Sequence, residues 1–98
     1  MLDTPASSTA LVVGGGTMGA DVAMVLARAG CRTVVMETGA SRRQSLPDYF
    51  AAGMRDLGYP QRADRLSIAA SFADIDWQKI DLVIECIPER LDIKQTLF

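Results

Sequence analysis

Apolar and polar positions along this chain follow two periods that succeed one another. Thr9 to Val13 is apolar almost throughout, as expected of a strand buried on both faces. Past a glycine-rich turn, Met18, Val22, Val25, Leu26 and Ala29 fall at helical spacing and predict a helix over 18–29 with those residues as its apolar face. Ala20, Ala23 and Ala27 fill the remaining positions with good helix formers, and Gly30 stands where a left-handed C-cap is expected. Arg32 to Glu37 reads as a second strand. Leu46, Tyr49, Phe50, Met54 and Leu57 predict a helix over 47–57, with Ser41 as a candidate cap upstream, Pro47 at or before its first turn and Gly58-Tyr59-Pro60 ending it. Arg65 to Ala70 reads as a third strand. Ser71 to Lys79 is a polar linker with about one helical turn, in which Trp77 is expected to pack. Asp81 to Ile87 is a fourth strand around Leu82-Val83-Ile84, ended by Pro88. From Glu89 to Phe98 the spacing of Leu91, Leu97 and Phe98 predicts another helix.

The order is therefore βαβαβ, a short connector, then βα. Such alternation predicts an α/β fold with a parallel sheet and helices on both faces. Residues 1–8, with Pro5 among them, read as a flexible lead-in, and 9–98 as the folded unit. Because the sequence ends inside a helical pattern, the expectation is the N-terminal part of a domain whose later strands, and any further domain, lie outside it.

The turn after the first strand carries the most specific signal. Gly14-Gly15-Gly16-Thr17-Met18-Gly19 is a Gly-x-Gly-x-x-Gly motif at Gly14, Gly16 and Gly19. It lies between a strand and a helix, the order a dinucleotide-binding unit requires. The first glycine permits the tight turn. The second lets a pyrophosphate approach the backbone. The third lets helix and strand pack closely, and the helix N-terminus then favours the anion. The second strand ends in Glu37, about 20 residues further on, where the motif needs an acid. A carboxylate there accepts from the ribose hydroxyls and repels a 2′-phosphate, which points to NAD over NADP. Arg42 and Arg43 are the opposing feature, since arginines beyond the second strand can bind a 2′-phosphate; they are read as mainly solvent-facing. Asp21, in the first helical turn, is expected to face away from the ligand. The fold expected is thus a doubly wound parallel sheet of Rossmann type, N-terminal part only. The candidate cofactor-binding residues are Gly14, Gly15, Gly16, Thr17, Met18, Gly19 and Glu37.

Composition narrows the function classes. The chain has 98 residues, is 49% hydrophobic and carries a net charge of −2, so it suits one small globular domain. No Lys/Arg block supplies an electrostatic case for nucleic acid or an anionic membrane. No apolar run approaches the length of a membrane span, and the N-terminus lacks a secretory pattern. Cys31 and Cys86 share no metal-ligand spacing and there is no histidine, so no metal site is expected. The two cysteines read as buried, reduced thiols, which suits a cytoplasmic setting.

A second stretch, Asp81-Leu82-Val83-Ile84-Glu85-Cys86-Ile87-Pro88-Glu89-Arg90-Leu91-Asp92-Ile93-Lys94-Gln95-Thr96-Leu97-Phe98, lies where a parallel sheet presents its ligand cleft. Taken with Gly-Gly-Gly-Thr-Met-Gly, it resembles the NAD-binding domain of the 3-hydroxyacyl-CoA dehydrogenase family, over about residues 10–37 and 81–98. The resemblance implies that Glu89 and Lys94, five residues apart, also contact NAD. It implies reversible hydride transfer between NAD and C3 of a small-molecule acyl thioester, in a full-length enzyme expected to be a homodimer. It also implies catalysis by a Ser, a His–Glu pair and an Asn, all downstream of this stretch, so no catalytic residue is assigned here and the fragment is expected to be inactive alone. The family's longer arm between the second and third strands, which helps to bind acyl-CoA, is reduced to a short segment over 38–64 without lysine. No CoA-binding residue is therefore carried over. An acyl-carrier-protein thioester, a free 3-hydroxy acid, or a non-catalytic NAD-sensing module remain as alternatives.

Overall fold

The computed structural model describes residues 8–14, 16–87 and 90–94, with the backbone alone described for residues 87 and 90–94. Among the described residues, five strands and two α-helices follow in the order β1 (Thr9–Val13), α1 (Thr17–Arg28), β2 (Arg32–Met36), α2 (Ala40–Asp56), β3 (Leu66–Ala69), β4 (Leu82–Ile87) and β5 (Arg90–Lys94). The sheet order is β3-β2-β1-β4-β5. The first four strands are parallel, in the Rossmann order expected; both α-helices among the described residues cover the same face, where helices on both faces were expected. The strand order reverses between β1 and β4, where such sheets open a crevice beyond the strand ends.

Each face of the sheet has its own core. Val12, Val35, Ile84 and Cys86 pack with Ala20, Ala23, Met24 and Ala27 of α1 and with Leu46, Phe50 and Met54 of α2. Leu11, Met36, Ala69 and Val83 point the other way, as alternate strand residues must, and pack with Ile75 and Ile80. Those last two come from the β3–β4 crossover, which contains short 3₁₀ turns at Phe72–Asp74 and Trp77–Lys79 rather than a full helix. Asp81 closes the sheet at the start of β1: its amide donates to the Thr9 carbonyl at 2.8 Å, and its carboxylate accepts from the Thr9 amide at 2.8 Å. Ser8 is buried, and its carbonyl accepts from the Arg32 amide at 3.1 Å.

Four further expectations are corrected. The face that α1 buries is its small one, Gly19, Ala20, Ala23 and Ala27 with Met24, whereas Met18 and Val25 are each 54% exposed. Close packing of helix on strand selects small side chains and turns the larger ones outward. The helix α2 starts seven residues before the expected Pro47, at Ala40 behind Gly39. Its first turns, Ala-Ser-Arg-Arg-Gln-Ser, are almost devoid of apolar residues and leave no periodic signal, and Pro47 sits inside the helix, where it forgoes one i→i−4 bond. Trp77 does not pack into a core: its ring lies 5.8 Å from that of Phe72, and both are exposed.

The fourth correction concerns the last element. Where a helix was expected from Glu89, Arg90–Lys94 pairs antiparallel with β4, from Ile87↔Arg90 to Val83↔Lys94. The sequence Arg-Leu-Asp-Ile-Lys alternates polar and apolar residues at period two over this stretch, and pairing satisfies backbone groups along the outer edge of β4. Pro88, Glu89 and residues 95–98 lie outside the described residues.

Both cysteines are buried and free. The Cys31 thiol donates to the Ser8 carbonyl at 3.4 Å, and burial pushes its pKa above the usual thiol value. Burial does the same for Cys86. A raised pKa keeps both as neutral thiols at neutral pH, and the neutral form is the unreactive one. Iodoacetamide labelling followed by mass spectrometry at pH 7.5 is therefore expected to leave both unmodified in the folded chain and to modify both in 6 M guanidinium; fast labelling of the folded protein would contradict this packing.

Candidate functional site

The C-terminal ends of β1, β2 and β4 meet beneath the glycine turn. Gly14 leaves β1 with a φ of 92°, a left-handed conformation suited to glycine. Its amide donates to the Met36 carbonyl at 3.0 Å, tying the turn to the end of β2. A Cβ on Gly14 would overlap the Cys86 carbonyl oxygen at the end of β4, and a Cβ on Gly19 would overlap the carbonyl oxygen of Gly14. The two motif glycines thus fix how closely β4, the turn and α1 approach. Gly16 is the N-cap of α1, no side chain caps it, and the first turn holds no acid. Its first intrahelical bond runs from the Ala20 amide at 2.9 Å. Thr17 and Met18 are exposed on that first turn, so Met18 is not a core residue. Gly15 lies outside the described residues.

Glu37 follows β2, its amide held by the Ala69 carbonyl at 2.9 Å. Its side chain is only 13% exposed. One carboxylate oxygen accepts from the Gly39 amide at 2.9 Å; the other lies 3.8 Å from Nε of Arg42. The arginines are not simply turned to solvent, as the sequence had suggested. Arg43 donates one guanidinium nitrogen to the carbonyls of Glu37 at 2.9 Å and Thr38 at 2.8 Å. Arg42 reaches back over the glycine turn, with a terminal nitrogen 3.4 Å from where a Cβ on Gly16 would stand. The sequence marked Arg42 as a cation able to bind a 2′-phosphate; its approach to Gly16 arises from the fold. Asp21 falls just past the first turn of α1 and is directed to α2, where the Tyr49 hydroxyl donates to it at 2.6 Å. That bond raises the Tyr49 pKa. Of the two remaining candidates, Glu89 lies outside the described residues, and Lys94 is described by its backbone alone, in register with Val83 at the opposite end of β5 from Arg90.

A family profile described as 3-hydroxyacyl-CoA dehydrogenase, NAD binding domain, matches residues 9–98. The chain belongs to this family. Among solved structures it is similar to 3-hydroxybutyryl-CoA dehydrogenase from Escherichia coli, with a TM-score of 0.71 and 27% identity over 86% of this chain and 19% of that one. It is likewise similar to FadB2 of M. tuberculosis, with a TM-score of 0.65 and 27% identity over 83% of this chain and 31% of that one. A diketoreductase at 22% identity and a TM-score of 0.67, over 85% of this chain and 32% of that one, shares the fold. The chain thus spans about a third or less of each of these structures. No curated protein sequence matches.

The cofactor of this family domain is NAD, and the residues present fit it. The turn at Gly14 and Gly16 carries no side chains, the helix start behind it has no side-chain cap, and an acid follows the neighbouring strand. A pyrophosphate needs the first two features and an adenosine ribose the third. No helix of the described residues is long and apolar enough to cross a membrane.

The steric part of this geometry separates two glycines with similar backbones. Gly58 also has a positive φ, 87°, but nothing stands within 4 Å of its missing Cβ. Gly58→Ala is expected to cost about 1 kcal/mol from left-handed strain alone. Gly14→Ala should cost at least ~2 kcal/mol more, since a backbone carbonyl cannot move aside as a side chain can. Urea unfolding of the two variants checks this; equal losses would contradict the close approach of Gly14 to β4.

Proposed function

We propose that this chain is the NAD-holding part of an oxidoreductase that exchanges a hydride between the nicotinamide and the 3-hydroxyl or 3-keto carbon of an acyl thioester. One observation carries the reading: the turn at Gly14 and Gly16 joins β1 to the start of α1 where the strand order reverses, with Glu37 just past the end of the adjacent strand. When bound, NAD supplies the hydride acceptor. The chain's own residues bind and orient it. Backbone amides over Gly14, Gly15, Gly16, Thr17, Met18 and Gly19 hold the pyrophosphate, and Glu37 accepts from the ribose hydroxyls. On the family resemblance, Glu89 and Lys94 are proposed as further NAD contacts; the backbone of Lys94 pairs with Val83. Holding one half of the cofactor in this way aims the ring at its partner.

The chemistry itself belongs to residues beyond this chain, which has no histidine to take the hydroxyl proton. In this proposal residues 1–7 are a lead-in, the folded part begins at the buried Ser8 rather than at 9 as expected, residues to 98 are the N-terminal part of the cofactor domain, and the full-length enzyme is a homodimer. Neither nucleic acid nor a membrane is a partner. Free buried thiols support a cytoplasmic setting. An acyl thioester is the favoured substrate class because the family is that of 3-hydroxyacyl-CoA dehydrogenases and one similar structure, at 27% identity, is a 3-hydroxybutyryl-CoA dehydrogenase.

Fluorescence titration with NADH and NADPH tests the cofactor reading. NADH is expected to bind at least tenfold more tightly than NADPH, about 1.4 kcal/mol of discrimination, and Glu37→Ala is expected to erase most of that difference. Tighter binding of NADPH by the unmodified chain would overturn the role given to Glu37.

A further inference from the structure

The helix that begins at the glycine turn carries a single acid, Asp21, and it stands where a bound anion is ill served by it. Asp21 follows Thr17 by four residues and Met18 by three, so the three share one flank of α1, and all are exposed. Side chains on an α-helix lean toward its N-terminus and cover the turn before their own Cα. Left to itself, the Asp21 carboxylate leans over the first turn of α1, whose amides would hold the pyrophosphate. There it is adverse twice, as a like charge beside the phosphates and as a rival acceptor drawn to the same positive helix end.

The structure draws this carboxylate aside. The Tyr49 hydroxyl of α2 donates to Oδ1 of Asp21 at 2.6 Å, within the range of a charge-assisted O–H to carboxylate bond. The same bond raises the pKa of Tyr49, so the hydroxyl keeps its proton, and its role as donor, at neutral pH. The position of Tyr49 is set by its neighbours Leu46 and Phe50, which are buried in the core that α2 shares with Ala20, Ala23 and Met24 of α1. Tyr49 itself is 41% exposed and adds little to that core; what it contributes is the hydroxyl.

We infer that Tyr49 is a positioning residue for cofactor binding: its hydroxyl holds the Asp21 carboxylate toward α2 and so keeps a negative charge and a rival acceptor off the first-turn amides of α1. The inference rests on the NAD-binding reading of the same site and requires no contact between Tyr49 and the dinucleotide. Phenylalanine keeps the ring and removes only the hydroxyl, and the bond joins two exposed residues, so the substitution separates the placement of the charge from the packing of α2.

The test is a double-mutant cycle read by fluorescence titration with NADH on the full chain, Tyr49→Phe, Asp21→Asn and the double variant, with circular dichroism as the check on folding. Tyr49→Phe is expected to bind NADH about fivefold more weakly at low salt, the scale of one exposed charge brought near the phosphates. That deficit is expected to fall below about twofold near 1 M salt, where the screening length is about 3 Å. The double variant is expected to regain the affinity of the unmodified chain, and Asp21→Asn alone to bind at least as tightly as the unmodified chain. Unchanged affinity in Tyr49→Phe would overturn the inference. So would a loss that persists in the double variant or at high salt, because Tyr49 would then act through the packing of α2. If the unmodified chain binds no NADH, the cofactor site itself is wrong and the inference falls with it, an outcome told apart from the others by the unmodified chain alone.

Discussion

Two backbone contacts without intervening side chains set the rest of this structure. Gly14 lies against the end of β4 and Gly19 lies against Gly14, each so closely that a methyl group at either position would overlap a carbonyl oxygen. From the second contact follows the composition of α1, which buries Ala20, Ala23 and Ala27 because only small residues allow a helix to sit that near a strand. From the first follows the shape of the crevice. The turn is drawn over the point where strand order reverses, and the start of α1, without a side-chain cap, is left at the rim. The same constraint thus governs packing below the turn and access above it.

Around that constraint the charges are few and placed locally. A chain of net charge −2 gains nothing from its overall field in holding a dinucleotide. The positive elements near the turn are the helix N-terminus and Arg42. Glu37 opposes them at short range, fixed by the Gly39 amide. Arg43, by bonding two carbonyls of the same loop, keeps the acid and the start of α2 in register. Discrimination between cofactors then depends on the few groups beside the ribose and not on the domain as a whole.

The parallel core was legible because its strands carry continuous apolar runs. Thr9–Val13 was located to the residue, and Gly14, Gly16, Gly19 and Glu37 stand in the places their spacing implied. The start of α2 was hidden because Ala40 to Ser45 lacks an apolar face; its anchors are arginine-to-carbonyl bonds, which leave no period. The buried side of α1 was misread because size matters more than hydropathy under a close helix–strand contact. Arg90–Lys94 fits either a short helical start or an alternating strand, and the register with β4 is a pairing between segments that no single window of sequence displays. Arg42 was legible as a cation able to meet a 2′-phosphate, whereas its position beside Gly16 arises from the fold and leaves no spacing to read.

The most direct measurement is the amide spectrum of ¹⁵N-labelled chain during titration with NADH. The account requires the largest shifts at Gly14, Gly16 to Ala20 and Glu37 to Gly39, with smaller ones at Glu85 and Cys86, and little change on the Phe72–Trp77 surface. Shifts centred on Phe72 and Trp77, with the glycine turn unmoved, would contradict it.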